Sequence, residues 1–171
     1  PHSMGSTYSI DDRDCVLTAA HKITVVEADK INHSALGVVN RADTAPLHDL
    51  RISIRKTRAA LRLFAQYLDD TSANSITEQL GNINRELGPA RDFDAWLEYV
   101  QSKRIHQVLA DNPAYKDYVH HLANERTGRL PELCFLLNAT YDQKFKQTLQ
   151  GFVDSELPAL IQNDQSPTFS N

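Results

Sequence analysis

Between Leu47 and Leu68 the chain separates its apolar and cationic residues with the period of a helix. At about 100° per residue, Leu47, Leu50, Ile54 and Leu61 gather on one side, continued by Phe64 and Leu68. That side requires burial. His48, Arg51, Arg55, Arg58 and Arg62 fall within about 80° of one another and directly border it. At 1.5 Å per residue the cationic row runs about 21 Å. Its 51/55, 55/58 and 58/62 pairs are like charges at helical spacing, each costing an isolated helix a few tenths of a kcal/mol. Asp49 is the only acid in the stretch 47–62, and it lies on a different side, close to Lys56. The row therefore draws on negative charge from elsewhere in the fold or from a ligand.

A solvated helix face usually mixes signs along i,i+4, and four arginines aligned beside a core boundary depart from that pattern. The planar guanidinium binds phosphate oxygens through two parallel hydrogen bonds and stays charged at physiological pH, so a row of them suits a repeating oxyanion. The charge is also local. The net charge of the chain is −4, yet residues 47–62 hold five Lys/Arg against one Asp, leaving 13 Lys/Arg against 21 Asp/Glu elsewhere. That asymmetry indicates a confined anion site rather than a basic coat for nucleic acid.

The stretch His48-Asp-Leu-Arg-Ile-x-Ile-Arg-Lys-x-Arg-Ala-x-Leu-Arg-Leu-Phe64, followed by Leu87-Gly-Pro-Ala-Arg-Asp-Phe-Asp94, resembles the signature of the CHAD family, the conserved-histidine α-helical domain. The resemblance implies a helical-bundle domain that binds inorganic polyphosphate through basic side chains, without catalysis and without a cofactor. It carries the family's first motif onto His48, Arg51, Arg55, Lys56, Arg58 and Arg62, and the second onto Arg91.

The remaining pattern is helical throughout. Asp11 to about Val39 reads as one long helix, Asn40 to Ala45 as a polar break, and Thr44 as the N-cap of the basic helix, with Pro46 in its first turn. That helix is expected to reach about Leu68. Ile76, Leu80, Ile83 and Leu87 mark a third helix, ended by Gly88-Pro89. A fourth carries Phe93, Trp96, Leu97, Val100, Ile105 and Leu109 as far as Asp111. Two further segments follow, about 113–137 and 139–161, the first kinked or interrupted by Pro131. No period-2 alternation or hairpin signal appears, so the expected class is all-α: an antiparallel bundle of about four core helices around one core, with extra helical segments. The expected domain is 11–162, between an N-terminal tail at 1–10, whose Pro1-His-Ser3 read as a cloning scar, and a frayed tail at 163–171.

Cys15 and Cys134 fit neither a disulfide framework nor a CxxC metal pattern, and read as buried or inert thiols. No signal sequence or apolar run of transmembrane length is visible, so the expected location is cytoplasmic, in association with polyphosphate granules where these form. His21, His33, His106, His120 and His121 give no paired metal ligands, and Asp117/His121 is the nearest approach. With no GxSxG elbow and no GxxxxGK[ST] loop, neither hydrolase nor NTPase chemistry has its usual scaffold, and the chain reads as no enzyme. Phe64 and Tyr67 turn toward the apolar side of the basic helix, which argues against single-stranded nucleic acid.

His48 reads either as a ligand-side donor or as a first-turn histidine bonded within the fold. Arg91 reads either as a reach toward the basic face or as an ion pair with Asp92 or Asp94, acids that could also order arginines of the row. A phosphorelay domain with His48 as acceptor is the alternative from another class, although the x-x-Lys-Gly that usually follows such a histidine is replaced by Asp-Leu-Arg-Ile. The resemblance implies a domain that is usually longer than this chain, with two related halves, each with a basic helix, facing one another across a positive cavity. After Arg62 this chain has no second H-x-x-R-x-x-x-[RK] run. It is expected either to be a fragment or to supply the second half by forming a homodimer.

Overall fold

The computed structural model describes residues 5–40, 43–69, 71–163 and 168. Their regular elements are helical: α1 (Gly5–Tyr8), α2 (Val16–Asn40), α3 (Ala45–Leu63), α4 (Ala73–Glu86), α5 (Gly88–Val100), α6 (Lys103–Leu109), α7 (Pro113–Thr140), α8 (Gln143–Gly151) and α9 (Leu157–Gln162). A 3-10 turn follows α3 at Ala65–Tyr67, and a π-helical stretch, Phe152–Glu156, joins α8 to α9. An isolated antiparallel bridge pairs Cys15 with Thr168. The all-α expectation holds. Pro1 to Ser3 lie outside the described residues, as do 164–167 and 169–171 of the expected C-terminal tail.

The basic helix is seated by its apolar side. Leu47, Leu50, Ile54 and Leu61 are all buried, as are Phe64 and Leu68 beyond it, against Ile31, Ala35 and Val38 of α2 and Ile76, Leu80 and Ile83 of α4. α2 and α3 form an antiparallel hairpin. Their close approach is set at Gly37, where a Cβ would lie 2.9 Å from the Pro46 Cβ, so a residue without one lets the end of α2 meet the first turn of α3. The C-terminal part of α7 (Leu133, Leu137), Tyr141, Phe145 and the segment Phe152 to Leu157 complete this core.

A second, smaller cluster departs from the expected single core. Leu97 and Val100 of α5 meet Tyr115 and Leu122 of α7, with Phe93, Ile105 and Val119 packed against them. α7 spans both clusters. Near its middle Arg126 and Asp94 of α5 form a buried ion pair, with Arg126 Nε donating to Asp94 Oδ1 and Nη2 to Oδ2. Burial pushes the Asp94 carboxyl up, against the pull of Arg126 and, further off, Arg91. Desolvation is thus the main cost of the pair.

Several element boundaries differ from expectation. α2 begins at Val16 rather than Asp11, because Asp11 and Asp14 accept backbone N–H groups in the preceding turn: Arg13 N to Asp11 Oδ1 at 2.7 Å and Asp11 N to Asp14 Oδ2 at 3.0 Å. α3 ends at Leu63 and the chain tightens into the 3-10 turn before Leu68. The single fourth helix is two, α5 and α6, since Ser102 adopts an extended ψ of 150°. Pro131 does not interrupt α7, which runs unbroken from Pro113 to Thr140. The last segment starts only at Gln143, where Asp142 Oδ1 accepts from Phe145 N at 2.8 Å. At the N-terminus, residues read as a tail include α1, whose Tyr8 hydroxyl donates to buried Glu27 at 2.7 Å. Cys15 and Cys134 are free and half-buried rather than fully buried.

The buried pair gives a stability prediction. Asp94→Ala leaves Arg126 uncompensated and should cost about 3–5 kcal/mol, whereas the double change Asp94→Leu, Arg126→Met should retain most of the stability. Urea unfolding of the two variants at neutral pH measures the difference.

Candidate functional site

Because the apolar side of α3 is fixed in the core, the cationic row has a fixed direction. His48, Arg55 and Arg62 are exposed, while Arg51 and Arg58 lean onto α4 and are half-buried. Arg51 Nε donates to Asn84 Oδ1 at 2.9 Å. Arg58 Nε donates to the Thr77 carbonyl at 3.1 Å, and its guanidinium lies over Gly81, where a Cβ would sit 2.8 Å from Nη2 and 2.9 Å from Cζ. Gly81 makes room for that arginine.

Among the described residues, no carboxylate lies within ion-pair distance of Arg51, Arg55, Arg58 or Arg62. Other arginines of the fold are paired: Arg91 with Glu98, Arg126 with Asp94 and Arg129 with Glu125. The row instead crowds cations together. Burial lowers the pKa of Arg58, and the charges of Arg62 and of Arg85 on α4 lower it further. Repulsion of this kind makes the face attractive to any anion that can reach it.

At the N-terminal end of the row the arrangement differs. Arg91 makes a two-pronged bond to Glu98, Nη1 to Oε1 and Nη2 to Oε2, both at 3.1 Å. Thr44 does not cap α3 with its side chain; its hydroxyl donates to Glu98 Oε1 at 2.7 Å instead. Burial acts against ionisation of Glu98, but the bonds from Arg91 and Thr44 and the charges of Arg91 and His48 outweigh it and hold the carboxyl below the usual glutamate range. Glu98 therefore stays charged at neutral pH. The expected partners of Arg91 were Asp92 or Asp94, and neither takes it: Asp94 is buried with Arg126, and Asp92 is exposed. The two acids do not order the row either.

Lys56 stands apart from the row. It lines a shallow groove on the α2 side of α3 with Asp29, Lys30, His33 and Asp49, consistent with its place more than 90° round the wheel. His121 faces Glu125 at 3.7 Å rather than completing a pair with Asp117. The exposed rings of Trp96 and Tyr99, stacked at 5.7 Å, lie about 120° round α5 from Arg91 and Glu98.

Sequence reasoning missed Glu98, Arg85 and the α4 residues that receive the arginines. One signal was available. Thr77, Gly81 and Asn84 each follow a core position of α4 (Ile76, Leu80, Ile83) by one residue, so they form a small or polar stripe beside its apolar stripe. Arg85 is exposed and bonded to Asn82, and only the packing of α4 on α3 brings its charge near Arg58.

Among the described residues, no helix is long and apolar enough to cross a membrane. No curated protein and no solved structure matches the chain. A family model does: that of the CHAD domain, over residues 27–170, beginning inside α2 and ending beyond α9. With most of its length matched, and with an all-α fold that presents the row of the His48–Arg62 motif on one helix, the chain belongs to the CHAD family.

Proposed function

We propose that this protein binds inorganic polyphosphate, without catalysis, along the cationic face of α3. The observation that carries the reading is the set of four arginines, 51, 55, 58 and 62, held side by side with no carboxylate partner among the described residues. His48 extends the row at one end, and Arg85 adds charge beside Arg58. Lys56 and Arg91 are margins of the site: Lys56 lies on the α2 side, and Arg91 is occupied by Glu98. Binding of polyphosphate by some members of the CHAD family supports the same ligand. The exposed cations face a chain of phosphates rather than stacked bases, since the rings of Phe64 and Tyr67 turn inward. Cytoplasmic residence, at polyphosphate granules where they form, accords with such a ligand.

Titration with long-chain polyphosphate at several salt concentrations tests this. Neutralising four to six phosphates should give a slope of log K against log salt of about −3 to −4, taking about 0.7 per phosphate. Single-stranded DNA and ATP should bind more weakly. Arg55→Gln with Arg62→Gln, which disturbs no hydrogen bond among the described residues, should weaken binding at least about tenfold and flatten the slope by about 1.4. Its melting temperature should be unchanged or higher, because repulsion is relieved. Salt-insensitive binding, or DNA bound as tightly as polyphosphate, overturns the reading, and phosphohistidine at His48 would favour the phosphorelay alternative.

We also propose that two copies associate through this face, so that their basic helices stand opposite one another. Apposed rows repel, so polyphosphate between them should strengthen the dimer by mass action. Sedimentation velocity across a range of protein concentrations should show a dimer that tightens with polyphosphate. A monomer under all conditions contradicts it.

A further inference from the structure

Glu98 sits in a donor set that an anion of the ligand could use. The fork of Arg91 from α5 and the hydroxyl of Thr44 from the turn before α3 converge on its carboxylate, and His48 stands nearby in the first turn of α3. These groups come from separate segments, and each suits a phosphate oxygen as well as a carboxylate oxygen. The set lies where the arginine row ends, so a phosphate chain running along Arg62, Arg58, Arg55 and Arg51 arrives at it next. An acid in that position is opposite in sign to the rest of the face.

We propose that Glu98 is a built-in competitor: its carboxylate fills the terminal phosphate subsite formed by Arg91 and Thr44 beside His48, and the bound chain must displace it to engage them. The inference rests on the polyphosphate reading and assigns that site an affinity-setting residue. A single small anion gains little by exchanging with a carboxylate of similar charge already held by two bonds to Arg91 and one to Thr44. A long chain anchored on the row presents its next phosphate at high effective concentration and can make the exchange. Glu98 thereby keeps the subsite closed to small anions and opens it to a chain.

A purely structural clamp between α5 and the start of α3 would leave binding unchanged or weaker when Glu98 is altered. The competitor predicts the opposite. E98Q keeps the shape and removes the charge; E98D keeps the charge but is too short to hold Arg91 and Thr44 together. Titrations with long-chain polyphosphate at several salt concentrations should show E98Q binding about 3–10-fold tighter than the unaltered protein. Its salt slope should steepen by about 0.7, because one more phosphate is neutralised. E98D should move in the same direction. In an R91Q background the tightening should vanish, because the subsite has lost its fork.

Equal or weaker binding by E98Q, with binding by the unaltered protein intact, overturns the competitor while leaving the polyphosphate reading in place. So does a tightening that survives R91Q, or an E98D protein indistinguishable from the unaltered one, since either assigns the effect to net charge. Should E98Q fail to fold, the E98D comparison decides alone. Absence of binding in the unaltered protein and in every variant overturns both the competitor and the reading beneath it.

Discussion

Burial of one side of α3 is the constraint on which the rest of this structure depends. Leu47, Leu50, Ile54 and Leu61 are each at most 3% exposed, and fully burying such side chains contributes about 1.5–3 kcal/mol apiece. The opposing repulsion along the row is a few tenths of a kcal/mol per pair. Burial wins by a wide margin, so α3 cannot turn to disperse its charges. The helix is locked with its arginines adjacent, and the electrostatic strain remains available to a ligand. The hairpin with α2, made close by Gly37 against Pro46, and the packing of α4 on the other flank follow from the same requirement.

The distribution of acids follows a complementary logic. Arg126 is neutralised by Asp94 inside the fold and Arg129 by Glu125 on the same helix. Arg126 at the junction of the two apolar clusters could not be buried without a partner, because an unpaired buried charge is too costly to hold. The cations of α3 meet solvent and can stay unpaired. Arg91 is intermediate: it stands at the edge of the row, and α5 supplies Glu98 on the same helical face, at i+7. Charge is therefore cancelled at Arg126, where burial requires it, and left in place along the outward face of α3.

How much of this could be read from the sequence depended on how local its cause was. The period of residues 47–68 fixed both the buried side and the cationic side, since each follows from neighbours within a few turns. The six apolar positions named there are all buried. Helix ends were less legible. Ser102 breaks the expected fourth helix by an extended ψ that no proline or glycine announces, and Pro131 sits inside α7 because packing on both clusters outweighs the one hydrogen bond it removes. The site was half legible. Arg51, Arg55, Arg58 and Arg62 were visible as a row, but Glu98 lies 36 positions beyond Arg62 and meets Thr44 only through the packing of the folded chain. Thr44 itself fits the N-cap preference, yet its side-chain oxygen accepts no backbone N–H of the first turn, and its hydroxyl donates to the Glu98 carboxylate.

The choice of arginine over lysine along α3 has a reason in the way Arg51 and Arg58 are held. Each uses Nε to bond α4, to the Asn84 side chain in one case and the Thr77 carbonyl in the other. The Nη donors have no hydrogen bond to the protein among the described residues. A lysine offers one nitrogen, so anchoring it and presenting it to an anion compete for the same group. A guanidinium separates the two tasks: one edge fixes its plane against α4, and the remaining donors keep the spacing that matches phosphate oxygens. Gly81 serves the same end, because a side chain there would push the Arg58 plane off the helix it lies on. On the polyphosphate reading proposed above, two arginines pinned in this way order the middle of the row before the ligand arrives, while Arg55 and Arg62 stay free to follow it. Holding the cations in advance lowers the conformational entropy lost on binding, and it is the packing of α4, rather than any feature of α3 alone, that provides it.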